Sequence, residues 1–181
     1  MNPGNLLIAE PSIFGDQNFH RSIIMVVDHK KTGSFGFIIN RPLNYSITDV
    51  TDKIKYDFPL YCGGPVEQDN LFFIHRAGHL IPNSVSIEKD LYWGGSFEKI
   101  ISLINERKLT TKEIRFFLGY SGWSSKQLCD EIKSKSWILI ENPYSSKIIS
   151  KTSNSLWKEQ MMALGGDYLI WSNSPENPYE N

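Results

Sequence analysis

Ile23-Ile24-Met25-Val26-Val27 is followed by Lys30-Lys31-Thr32-Gly33, and then by Ser34-Phe35-Gly36-Phe37-Ile38-Ile39-Asn40. The first segment is an unbroken, β-branched apolar run, the pattern of a strand covered on both faces. The second is a turn signal. In the third, Phe35, Phe37 and Ile39 alternate onto one face, so the whole stretch predicts a β-hairpin. Gly36 falls inside the returning strand, where a bulge or a close backbone approach is expected. Arg41-Pro42 ends that strand, because proline has no amide proton to give the ladder.

Outward from the hairpin, residues 71–75 read as a strand and 84–88 as a weaker one. Residues 114–120 alternate again, with Ile114, Phe116, Leu118 and Tyr120 predicted on one face. Residues 137–140 are a further apolar strand. Ser46-Ile47-Thr48-Asp49 has capping-box spacing and predicts a helix to about Ile54. Residues 96–107 carry the clearest helical stripe, Phe97, Ile100, Ile101 and Ile104. Ser124-Ser125-Lys126-Gln127 predicts a second capped helix to Lys133, burying Leu128 and Ile132. Residues 155–164 predict a last one, with Trp157, Met161 and Leu164 on one side and Gly165 as C-cap. Strands outnumber helices and do not alternate with them, which is an α+β pattern.

The 181 residues suit one domain, read as 1–171, followed by a mobile polar tail, 172–181. A formal net charge of -1, with scattered basic residues, argues against nucleic acid as a partner. Cys62 and Cys129 make neither a disulfide framework nor a zinc site, and both are expected buried and inert. No apolar stretch approaches the ~20 residues that span a bilayer, and the apolar run 6–9 is too short for a signal-peptide core. No membrane association and a cytoplasmic location are therefore expected.

Few residues suggest chemistry. His75 and His79 have the spacing of helical metal ligands, but Gly78 interrupts any helix, so no metal is expected. Asp28 and His29 are adjacent on a strand and point to opposite faces. Ser121, in Gly119-Tyr120-Ser121-Gly122, sits in an apparent strand-to-helix connection without the spacing of a nucleophile elbow. Gly94-Gly95-Ser96 precedes the clearest helix and is a candidate anion site, though Ser96 capping would use the same amides. Asn40 and Arg41 end an apolar strand with two strong hydrogen-bonding groups. They either hold a ligand or tie down a neighbouring loop, the Gly63-Gly64-Pro65 turn being one choice.

Together these segments resemble the AlgH/YqgE family of bacterial proteins. The resemblance runs from Gly4-Asn5-Leu6-Leu7-Ile8-Ala9-Glu10-Pro11 through Phe19-His20-Arg21-Ser22, Asp28-His29 and Gly33 to Gly36-Phe37-Ile38-Ile39-Asn40-Arg41-Pro42. It resumes at Gly63-Gly64-Pro65-Val66, Leu71-Phe72 and His75. It closes with Gly119-Tyr120-Ser121-Gly122-Trp123, Gln127-Leu128, Glu131-Ile132 and Trp137. Lys126 and Cys129 depart from the family pattern, which carries a glycine and an acidic residue there. The resemblance implies a complex α+β fold, with a bifurcated, mostly antiparallel sheet partly closed into a small barrel and flanked by helices. Some family members are called transcriptional regulators, and no catalytic residues or cofactors carry over.

The expectation is therefore a non-enzymatic binding or regulatory module acting through a protein or a small anionic ligand. A direct DNA-binding regulator is the alternative, and an enzyme of unknown class the second alternative. The expected binding surface comprises Asn40, Arg41, Gly63, Gly64, Gly119, Tyr120, Gly122 and Trp123.

Overall fold

The computed structural model describes residues 1–11, 16, 18–152 and 155–174. Most of the expected tail, 175–181, lies outside the described residues. The elements in chain order are β1 (Leu6–Ala9), β2 (Ile23–Lys30), β3 (Gly33–Ile38), β4 (Pro42–Ser46), α1 (Ile47–Val50), β5 (Pro59–Cys62) and β6 (Val66–His75). Then come β7 (Val85–Glu88), β8 (Leu91–Trp93), α2 (Phe97–Asn105), β9 (Ile114–Ser124), α3 (Gln127–Lys133) and β10 (Trp137–Ile140). A 3-10 helix (Ser145–Ser150), α4 (Leu156–Leu164) and α5 (Tyr168–Ser172) complete the chain.

The strands form one sheet in the order β10-β1-β2-β3-β9-β6-β8-β7. It forks at β9. Phe116, Phe117 and Leu118 pair with β5 in parallel and with β6 antiparallel, whereas residues 121–124 pair with β3. Every other pairing is antiparallel. The fork and the mixed α+β architecture match the expectation, but the barrel closure does not. No pairing among the described residues joins β10 to β7, so the sheet stays open.

The β2–β3 hairpin forms as read. The pairing register slips between Val26 and Asp28, opposite Gly36, where a Cβ would stand 2.2 Å from the Met25 carbonyl oxygen. Both faces of these strands are covered. Leu6, Ile8, Ile23, Met25 and Phe37 enter one core with Phe117 and with Trp157 and Met161 of α4. The alternate residues Leu7, Ile24, Val26 and Ile38 enter a second with Trp123, Trp137 and Leu128 of α3. A third core lies against β6 and β9, where Phe73 and Phe116 meet Ile100, Leu103 and Ile104 of α2.

Two local expectations are corrected. The helix starting at Ser46 has only one turn. Its predicted bond from the Ser46 N–H to the Asp49 carboxylate is present at 2.7 Å. Beyond it, Asn105 of α2 accepts from the Lys55 N–H and donates to the Lys53 carbonyl, both at 2.9 Å, which holds the chain out of a helix. Tyr120 does not share a face with Ile114, Phe116 and Leu118. Gly119 sits at φ +69, a left-handed conformation, and its bulge sends Tyr120 to the opposite face beside Phe117. Strands β1, β4, β5 and β8, the 3-10 helix and α5 carry too little periodicity of their own to be read.

Candidate functional site

The glycine-bearing segments do meet. The Gly63 N–H donates to the Leu118 carbonyl at 2.8 Å, and the Gly63 carbonyl accepts from Ile38 N–H at 2.9 Å and from Ser121 Oγ at 3.1 Å. This is a packed crossing at the fork rather than a cavity. Ser121 is fully buried there inside β9, not in a strand-to-helix connection as expected, and its hydroxyl is committed to the sheet.

Asn40 and Arg41 tie down a loop, but not the Gly63-Gly64-Pro65 turn. Asn40 Oδ1 accepts from Ile23 N–H at 2.8 Å, and its Nδ2 donates to the Arg21 carbonyl at 2.9 Å. Arg41 donates to the carbonyls of Asn18 and His20. Both side chains thus pin the segment that leads into β2. Beside the turn, the Cys62 N–H donates to the Arg41 carbonyl at 2.9 Å.

At Gly94-Gly95-Ser96, several groups are already engaged. Ser96 Oγ accepts from Lys99 N–H at 3.2 Å, the Ser96 N–H donates to the Pro82 carbonyl at 3.0 Å, and the Gly94 carbonyl accepts from His75 Nε2 at 3.0 Å. His75 is wholly buried, which its place at a strand end did not signal. Its Nδ1 accepts from Ala77 N–H at 3.2 Å, so the ring carries its proton on Nε2. Burial holds its pKa below the ordinary histidine value, with the Gly94 bond opposing that shift. His79 is exposed, and no group of three or more possible metal ligands occurs among the described residues. Cys129 is exposed and Cys62 half-buried, correcting the expectation that both are buried. Cys129 takes the outer side of α3 because Leu128 takes the inner one.

The sequence reading missed an aromatic cleft. A cleft of about 650 Å³ opens between the β2–β3 hairpin and the β6–β8–β9 region. Its floor is aromatic. Phe35 meets Trp93 edge-on at 5.0 Å and Tyr120 at 5.8 Å, and Phe72 meets Tyr120 at 5.6 Å. Each of these four rings is only partly buried. The rim carries an Asp28–Lys30 ion pair of 2.7 Å and the exposed Glu67. Trp93 Nε1 is buried and has no hydrogen-bond partner among the described residues. Of the expected surface, Tyr120, Gly122 and Trp123 line this cleft, while Asn40 and Arg41 face the loop they hold. No sequence signal marks Trp93, because β8 is three residues long and gains its place only by pairing.

One polar pair borders the cleft. His29 Nδ1 lies 2.7 Å from Ser34 Oγ, across the hairpin ladder. His29 faces neither Ser121 nor Cys62. Among the described residues no helix is long and apolar enough to cross a membrane.

A forked, open α+β sheet bearing an aromatic cleft defines the class of this protein. The chain belongs to the AlgH-like family (DUF179), whose model matches residues 6–169. It is 40% identical over 183 residues to a UPF0301 protein of Cytophaga hutchinsonii, covering 100% of both chains. It is 41% identical over 182 residues to the UPF0301 protein BF2109 of Bacteroides fragilis, covering 98% of this chain and 90% of that one. The crystal structure of DIP2367 from Corynebacterium diphtheriae has a TM-score of 0.75 at 22% identity, covering 96% of this chain and 93% of that one. The solution structure of AlgH from Pseudomonas aeruginosa has a TM-score of 0.73 at 23% identity, covering 96% and 94%. These two likenesses concern the fold.

Proposed function

We propose that this AlgH-like chain is a binding module whose working surface is the aromatic cleft. Its ligand is a small molecule with a flat apolar face. One observation carries this reading: the partly exposed rings of Phe35, Phe72, Trp93 and Tyr120 gather on one cleft floor. Aromatic faces left open in one concavity favour a ligand that presents a flat apolar face to them. The volume suits a small organic ligand. Of the partners expected from sequence, a protein or a small anionic ligand, the cleft favours a small ligand but not an anion. Lys30 is already paired with Asp28, and Glu67 adds a negative charge to the rim.

The test is saturation-transfer NMR with a panel of nucleobases and other uncharged planar heterocycles. At least one flat class should bind, and Trp93→Phe, which shrinks one ring of the floor, should weaken it about threefold at unchanged melting temperature. Equal binding to the variant, or no binding by any member, overturns the reading.

One observation favours a second reading. The His29–Ser34 pair has the contact a serine nucleophile needs from its base. Among the described residues no carboxylate orients that imidazole, and cross-strand pairs of this kind are ordinary sheet contacts. Ester hydrolysis abolished by Ser34→Ala would favour the enzyme. Direct DNA binding, the regulator reading, would need clustered cations to displace counterions. Salt-sensitive retention of duplex DNA would support it.

A further inference from the structure

A second cleft, of about 340 Å³, lies at the start of β9, between β5 and the 3-10 helix. Its lining includes Arg115, Lys112 and Lys151, together with the hydroxyls of Thr111, Ser150 and Thr152, and no carboxylate. Arg115 is the unusual member, because it interrupts the apolar run of β9 and is only 5% exposed. A buried cation is costly unless it is paired. Among the described residues none of the carboxylates pairs with it. Its Nη1 donates to the Ile39 carbonyl at 2.7 Å, and its Nη2 to the carbonyls of Ile149 at 2.6 Å and Lys151 at 2.7 Å. Its guanidinium carbon stands 4.4 Å from the centre of the Tyr61 ring.

A guanidinium has five N–H donors. Three are used here, which leaves the Nε–H and one Nη1–H without an acceptor among the described residues. Burial lowers the Arg115 pKa, but arginine stays charged at neutral pH. The neighbouring acids are turned elsewhere. Glu113 accepts from the N–H and hydroxyl of Thr110, and Glu159 sits 3.4 Å from Lys151 Nζ. Lys151 therefore brings a shared charge, whereas Lys112 has no ion-pair partner among the described residues.

We propose that this cleft is an oxyanion site, taking inorganic phosphate or the phosphate group of a small ester. Arg115 supplies a fixed, desolvated cation at its base, and Lys112 a mobile one at its mouth. The hydroxyls of Thr111, Ser150 and Thr152 add neutral donors. This site is separate from the aromatic cleft and stands or falls independently of it.

The probe is inorganic phosphate at neutral pH, followed by 31P line broadening and by calorimetric titration at constant ionic strength. Phosphate should bind the full chain, whereas chloride at matched ionic strength should not compete. Replacing Arg115 removes three bonds that hold the fold together, so the deciding variant is Lys112→Glu, at an exposed position. It should weaken phosphate about tenfold or more, the loss of one charge-assisted contact. Lys89→Glu, the same charge change at an exposed position outside the cleft lining, should leave binding intact. No phosphate binding, equal binding by the Lys112 variant, or an equal loss in the Lys89 variant would each overturn the proposal.

Discussion

At the residue scale, the environment decides what a titratable side chain does. His75 has both ring nitrogens engaged, one accepting from Ala77 and the other donating to Gly94. A second proton on Nδ1 would point at the Ala77 N–H, so the fold rejects it. The folded pKa lies below the ordinary value of about 6.5 that the unfolded chain shows. Between that value and the folded pKa, the unfolded chain binds a proton that the native state does not. Stability must fall as pH falls through this window, and His75 contributes no pH dependence above it. Glu88 acts with opposite sign. Burial raises its pKa, so its folded form binds the extra proton and loses relative stability as pH rises through that range. Its contribution is common to any His75 variant and cancels in a comparison. Urea midpoints measured from about pH 7 to pH 5 should therefore drop more steeply for the natural chain than for His75→Gln. Identical slopes would mean that His75 titrates normally. Nothing in the sequence around His75 announces this, because its burial depends on β8 and on the 81–84 segment. Ser84 Oγ stands 3.2 Å from His75 Nε2.

At the scale of elements, α3 shows how a short helix is fastened. It buries Leu128 fully and Ile132 in part, a small apolar area for holding seven residues in place. Glu131 supplies the rest. One of its oxygens accepts from Trp123 Nε1 of β9 at 2.7 Å and from Trp137 Nε1 of β10 at 2.8 Å. The other accepts from Gln127 Nε2 at 3.0 Å. Glu131→Ala would orphan two partly buried indole donors, each worth about 1–3 kcal/mol when left unpaired. A loss of about 2–4 kcal/mol is expected in urea unfolding. A loss below about 0.5 kcal/mol would show that water replaces the carboxylate freely. The helix itself was readable from its polar start and from Leu128. The bond that makes it matter was not, since it joins three elements whose pairing no local pattern encodes.

At the scale of the whole molecule, the two ends of the described sheet path are reached by strands far apart in sequence. Among the described residues β10 pairs only with β1, through Leu6–Ile140 to Ala9–Trp137. Leu6, Leu7, Ile8 and Ala9 have no exposed area and serve two cores at once. Removing a large aliphatic side chain from a core costs about 2–5 kcal/mol, and a domain's whole stability is about 5–15 kcal/mol. A chain lacking residues 1–9 should therefore show no cooperative unfolding transition and a flat near-UV circular dichroism spectrum. A cooperative transition at ordinary temperature would mean that β10 finds another partner.

The hairpin of residues 23–40, the helix of 96–107, the α+β class and the family were all legible in the linear chain. The first three follow from local patterns: alternation, helical spacing, capping and turn chemistry act over a few residues and leave their period in the sequence. The fork at β9, the open edges, the burial of His75 and Arg115 and the aromatic cleft were settled only by tertiary structure. Each depends on which distant strand lies alongside. A four-residue strand such as β5 takes its place beside β9 only when the surrounding cores close over it.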